Sequence, residues 1–152
     1  MIRAWKDIIE PLASAAGVRT ILEIGSEVGL STRVLVSYAK RIDGHLHSID
    51  PGPAFDIAAL AEEHHGYLTY YVDLSLNALR DVPAVDLALV DGDHNWYTVF
   101  HELSLLEERH GHKADGISVI VVHDTGWPYG RRDLYYDPET IPPEYRHPYR
   151  RE

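Results

Sequence analysis

Thr20-Ile21-Leu22-Glu23-Ile24-Gly25-Ser26-Glu27-Val28-Gly29-Leu30-Ser31-Thr32 is the stretch that decides the fold. A short aliphatic run ends in two glycines four apart, and a helical pattern opens at Ser31. Strand, tight turn and helix in that order make a βα unit. Its glycines permit close backbone approach, and its helix presents free N–H groups. The stretch is not the G-x-G-x-x-G dinucleotide fingerprint, because the first glycine is missing and Glu23 at the strand end would repel a pyrophosphate. An acidic residue beside a glycine turn suits a cationic or hydroxyl-rich ligand.

Outward from this unit the same alternation continues. Strand runs at Thr20–Ile24, His45–Ile49, Leu68–Val72, Val85–Val90 and Ile117–Val122 are separated by helical patterns at Ser31–Ile42, Phe55–His65, Ser75–Leu79 and Asn95–Arg109. Five strands with crossovers predict an α/β, doubly wound parallel sheet with helices on both faces. The nearly unbroken β-branched run Ile117 to Val122 fits a strand buried on both sides. In the fourth helix Trp96, Val99, Phe100, Leu103 and Leu106 form the expected buried stripe, with Glu102, Glu107, Glu108 and Arg109 on the polar face. Residues 1–17 read as an amphipathic helix on Ile2, Trp5, Ile8, Ile9 and Leu12, interrupted near Pro11, that braces or lids the domain.

The 152 residues fit one domain: the helix of 1–17, a core of 20–124 and a tail of 125–152. Lys plus Arg number 14 against 24 Asp plus Glu, a net charge of −10 that repels phosphate backbones and argues against nucleic-acid partners. With no cysteine there is no disulfide, thiol nucleophile or thiolate metal site, which fits a cytoplasmic setting. No apolar run is long enough for a membrane span, and the charged start, with Arg3, Lys6, Asp7 and Glu10, is unlike a leader.

In an open parallel sheet the ligand lies at the carboxyl ends of the strands near the switch point, so the residues just after each strand are the candidates. Asp50, ending the second strand, is placed to accept hydrogen bonds from ribose hydroxyls. Alternatively, Gly25 and Gly29 only shape the turn, and Asp50 only caps the next helix. Asp91, Asp93 and His94 follow the fourth strand and His123, Asp124 and Thr125 the fifth, which delivers carboxylates and imidazoles to one edge of the pocket. Oxygen donors suit Mg²⁺, and a histidine ligand favours Mn²⁺ or Zn²⁺. His94 can serve as a general base, or cap the helix opening at Asn95. His64, His65, His101, His110 and His112 read as solvated.

Glu23 to Gly29, followed by Ile49-Asp50-Pro51, resembles the glycine-rich and acidic motifs of class I S-adenosylmethionine-dependent methyltransferases. Asp91-Gly92-Asp93-His94 is similar to the signature of the branch that holds the macrocin- and catechol-type O-methyltransferases and the cephalosporin hydroxylase-like proteins. The resemblance covers about Thr20 to Asp124 and implies a Rossmann-like sheet of order 3-2-1-4-5. It implies that Glu23, Gly25, Ser26 and Gly29 line the methionine end of the cofactor, that Ser31 also binds the cofactor, that Asp50 holds the ribose, and that Asp73 and Leu74 lie near the adenine. By the same resemblance Asp91 contacts cofactor and takes part in catalysis with His94 as base, and Asp91 and Asp124 hold the metal, to which this chain's own His123 is added as a candidate ligand. The family has two carboxylates, or aspartate with asparagine, where this chain has His123-Asp124.

The expected activity is methyl transfer to a hydroxyl of a small sugar, phenolic or polyketide-type acceptor, with divalent-metal assistance. Alternatives are a cofactor-binding domain without turnover and, on the same fold, a nicotinamide-dependent oxidoreductase. Five of nine prolines and five of ten tyrosines fall between Pro128 and Tyr149. The segment Trp127-Pro128-Tyr129-Gly130-Arg131-Arg132-Asp133 is similar to one in the bacterial relatives and reads as a lid over the pocket or a mobile tail. By the resemblance, two further strands would follow the fifth, and the expectation is that this sequence ends before them. The fifth strand is then an expected edge, to be covered by the tail, paired in a homodimer, or left by truncation.

Overall fold

The computed structural model describes residues 2–94, 96–110, 117 and 119–125. Expectations for residues 126–152 lie outside these. A 3₁₀ turn (Ile2–Ala4), a π-helical turn (Trp5–Ile9) and helix α1 (Glu10–Ala15) run into β1 (Thr20–Ile24), α2 (Leu30–Arg41) and β2 (His45–Ile49). Then come α3 (Ile57–Glu63), β3 (Leu68–Tyr71), α4 (Ser75–Ala78), β4 (Leu87–Val90), α5 (Trp96–His110) and β5 (Val119–Val122). The strands form one sheet in the order β3-β2-β1-β4-β5, and every pairing is parallel. This is the doubly wound order expected from the sequence.

Alternation along β1 divides the core in two. Ile21 faces a cluster built from Trp5, Ile9, Ala13, Leu35, Val36 and Leu60, so the N-terminal turns, α2 and α3 cover one side. Leu22 and Ile24 face Ala78, Leu79, Val82 and Leu106, so α4 and α5 cover the other. Each fully buried Leu or Ile contributes about 1.5–3 kcal/mol. At the opposite end of the sheet from the glycine turn, Asp86 Oδ2 accepts from Arg19 N and Thr20 N, both at 2.8 Å, and ties β1 to β4.

Several elements differ from expectation. Trp5, Ile9 and Ala13 form the buried face of the N-terminal segment, while Ile8 and Leu12 are exposed. The four-residue spacing follows the observed turns, and Trp5 anchors it edge-on to Tyr38 at 5.2 Å. Pro11 does not interrupt the segment; it occupies the first turn of α1, where its missing N–H costs nothing. On α5, Thr98, Glu102 and Leu106 point inward at i, i+4 and i+8, whereas Phe100 is 50% exposed. Glu102 is therefore not on a polar face. His64 is buried rather than solvated. β4 and β5 start two residues later than their apolar runs, and Ile120 on β5 is part-exposed, so that strand is not buried on both faces.

Candidate active site

The carboxyl ends of β1, β2, β4 and β5 surround a cavity of about 830 Å³. Gly25, at φ +88, is required twice over. Its backbone is left-handed, and a Cβ there would lie 2.3 Å from the Asp91 carbonyl oxygen, so the turns after β1 and β4 touch only because it has no side chain. Gly29, at φ +76, caps α2 and packs against the Phe55 ring, where a Cβ would come within 2.8 Å. Both glycines thus serve close approach by the chain itself.

Asp50 holds this turn. Its Oδ2 accepts from Ser26 N at 2.9 Å and Glu27 N at 2.8 Å, and its Oδ1 from Gly52 N at 2.8 Å. Burial raises the Asp50 carboxyl, but the N–H donors of Glu27, Gly52 and Ser26 outweigh it and hold the group below the usual carboxylate range. Asp50 does not cap α3; Asp56 does, accepting from Ala59 N at 2.9 Å. The Ser26 hydroxyl also pairs with the Tyr70 hydroxyl, which makes Tyr70 a brace of the turn that no motif marked.

Glu23 turns away from the cavity. Its Oε2 accepts from Thr32 Oγ1 at 2.8 Å and Ser48 Oγ at 2.6 Å inside the α2 face of the core. Burial pushes its carboxyl above the ordinary range, against the pull of the Ser31, Ser48 and Thr32 hydroxyls.

On the β4–β5 side four residues converge. His123 Nδ1 lies 2.8 Å from Asp91 Oδ1 and 3.2 Å from Asp124 Oδ1, and His94 Nε2 lies 3.9 Å from Asp91 Oδ1 and 3.8 Å from Asp124 Oδ2. His123 Nδ1 is buried, yet neither close approach has hydrogen-bond geometry. Ligand atoms of Asp91, His94 and His123 fall within 4.8 Å of one another, the arrangement of donors around a cation. Asp124 sits at φ +51, a left-handed conformation that aspartate tolerates better than most residues, and the turn at the end of β5 aims its carboxylate inward.

Residues 22–125 match the model of a family described as a methyltransferase domain. The chain belongs to that methyltransferase-domain family. Its fold is similar to that of a Staphylococcus aureus protein assigned as a caffeoyl-CoA O-methyltransferase, with a TM-score of 0.57 and 16% identity over 77% of this chain and 55% of that one. It is also similar to the SAH-bound Podospora anserina methyltransferase PaMTH1, with a TM-score of 0.59 and 18% identity over 74% of this chain and 49% of that one. The chain thus spans about half the length of these structures. No curated protein matches it.

Within this methyltransferase domain, Gly25, Ser26, Ser31, Asp50, Leu74, Asp91, His94, His123 and Asp124 all line the one cavity. Glu23, Gly29 and Asp73 do not. Asp73 Oδ1 accepts from Leu74 N at 2.7 Å and Asn77 Nδ2 at 3.1 Å, tying down the first turn of α4. Thr98 and Glu102 also reach the cavity wall from α5. The helical pattern placed Glu102 outside, and an apolar stripe count cannot reveal an inward polar residue.

Proposed function

We propose that the chain binds S-adenosylmethionine in this cavity and transfers its methyl group to a hydroxyl of a small molecule. The carrying observation is the joint placement of a glycine turn organised by Asp50 and the Asp91, His94, His123 and Asp124 cluster on one cavity. Its volume of about 830 Å³ lies in the range of about 300–1,000 Å³ typical of ligand sites.

Gly25, Ser26 and Ser31 take the methionine end. Asp50 Oδ1 accepts one protein hydrogen bond, from Gly52, and retains a lone pair for a ribose hydroxyl. Transfer needs the acceptor oxygen in line with the methyl carbon, and positioning supplies much of the rate. As the O–C bond forms and the C–S bond breaks, the hydroxyl proton passes to His94 Nε2. Asp91 and Asp124, both within 4 Å, stabilise the imidazolium. The sulfonium leaves as a neutral thioether, so one positive charge moves from sulfur to imidazole.

The Nδ1 of His123, buried without a hydrogen bond beside two carboxylates, supports a divalent ion held by Asp91 and His123, with Asp124 beside them. The imidazole in the donor set favours Zn²⁺ or Mn²⁺ over Mg²⁺. When bound, such an ion supplies Lewis acidity to the acceptor oxygen. The net charge of −10 points to a small sugar, phenolic or polyketide-type acceptor rather than nucleic acid, and the cysteine-free composition to a cytoplasmic enzyme.

The test is transfer of tritiated methyl from S-adenosylmethionine to a panel of sugars and phenols, with His94→Ala as control. Transfer that falls by about a hundredfold or more in the variant supports the assignment of His94. Equal turnover removes it as base, and binding of the cofactor with no transfer to any acceptor contradicts the activity.

A further inference from the structure

Glu102 lies on the cavity wall and takes no part in the reaction described above. It is 0% exposed in the middle of α5, and neither carboxyl oxygen has a partner in hydrogen-bond geometry; the neighbouring Ser75 hydroxyl only partly offsets the effect of its burial. The two other fully buried polar residues on the wall are satisfied: Ser26 by Asp50 and Tyr70, and Thr98 by donating to Asp93 Oδ2 at 2.9 Å. An unpaired buried carboxyl is costly. A ligand that completes its hydrogen bonds relieves that cost.

Position indicates which part of a ligand arrives there. The lining includes Leu74, Ser75 and Leu76, which follow β3 and lead into α4, the helix that packs on α5, and Thr98, one turn before Glu102 on α5. β3 neighbours β2, whose end carries Asp50, so a nucleoside with its ribose at Asp50 can extend its base toward the seam between α4 and α5. Leucines with one polar group between them suit a flat base that has an apolar face and a polar edge. We propose that the Glu102 carboxyl pairs with the N1 and N6 edge of the cofactor's adenine and closes the base subsite. This rests on reading the cavity as an S-adenosylmethionine site.

The chemistry of the pair is complementary. Burial pushes Glu102 up to about 8, opposed by the Ser75 hydroxyl and reinforced by the charge of Asp93, so the side chain is a neutral acid near neutrality. A neutral carboxyl carries one donor and one acceptor side by side. The O–H donates to adenine N1, and the C=O accepts from the N6 amino group. An anionic group would meet the Asp93 charge as well as an unionised acid, so the methionine carboxylate is the wrong occupant.

Calorimetric titration of the full chain with S-adenosylhomocysteine and with its 1-deaza analogue, in which N1 is a C–H, tests this. Wild-type protein should bind the analogue roughly tenfold or more weakly, because the buried O–H loses its acceptor. Glu102→Leu should bind S-adenosylhomocysteine roughly tenfold or more weakly and show no further loss with the analogue. Glu102→Gln retains a donor and an acceptor, so it should stay within about threefold of wild type and keep the analogue's penalty.

Equal wild-type affinity for the two ligands overturns the proposal even if Glu102→Leu does not fold. So does an undiminished penalty in a folded Glu102→Leu, or loss of binding in a folded Glu102→Gln. Wild-type protein that binds neither ligand overturns the cofactor reading itself, an outcome distinct from the others.

Discussion

Replacing Asp50 with alanine removes the acceptor on which the glycine turn is built. Three backbone N–H groups, of Ser26, Glu27 and Gly52, donate to this carboxylate at 2.8–2.9 Å. Hydrogen bonds to a charged partner contribute about 1.5–3 kcal/mol each. Glu27 and Gly52 are exposed and Asp50 only half-buried, so water replaces part of what is lost. Taking the low value and discounting for solvent leaves about 2–4 kcal/mol for Asp50→Ala. Glu27 sits at φ +48, a conformation unfavourable to glutamate that the Asp50 bond helps hold, so the turn should also relax and bind S-adenosylhomocysteine more weakly. The folded-state pKa of Asp50 is depressed. Its stabilisation is therefore present above the unfolded carboxylate value and lost as pH falls through the folded one. Urea unfolding at pH 7 and at pH 3 measures both effects: the gap between wild type and variant should be wide at pH 7 and begin to narrow at pH 3. A variant with the wild-type urea midpoint at pH 7 would show that the turn does not depend on Asp50.

Gly25→Ala should cost at least about 3 kcal/mol, since it combines a left-handed backbone with a clash against the Asp91 carbonyl; thermal melting within a few degrees of wild type would refute that. His47 is held down to about 4, by burial and then by the neighbouring His45. The unfolded chain therefore takes up the proton first, and stability falls as pH drops from about 6.5 toward 4, by on the order of 2 kcal/mol. His47→Gln should flatten that part of the stability curve, and an unchanged slope assigns it elsewhere. Titration with Co²⁺, followed by visible absorbance, should show a nitrogen-ligated band in wild type that His123→Ala loses; the same band in both proteins would exclude His123 as a ligand.

Strand number, order and the residues at the strand ends were legible because periodicity and glycine spacing are local. The sequence also placed Gly25, Asp50, Asp91, His94, His123 and Asp124 on one cavity, since a parallel sheet brings the ends of its strands together. What it hid were contacts that depend on neighbours distant in the chain. Glu23 looked like a ligand group at a strand end, but strand alternation turns it toward Thr32 and Ser48. Glu102 fell outside the expected apolar stripe, of which α5 buries Leu106 and packs Leu103 but leaves Phe100 half exposed, because Thr98 and Glu102 share the inward face with Leu106. Tyr70 comes from β3 to brace the turn after β1, a pairing across 44 residues that no motif records.

The central claim is that this cavity holds S-adenosylmethionine. Calorimetric titration of the full chain with S-adenosylhomocysteine, repeated with NADH, tests it most directly. The expected result is one site per chain for S-adenosylhomocysteine, weakened in Asp50→Ala, and no heat with NADH. Tight binding of NADH, or no binding of S-adenosylhomocysteine by folded protein, would contradict it.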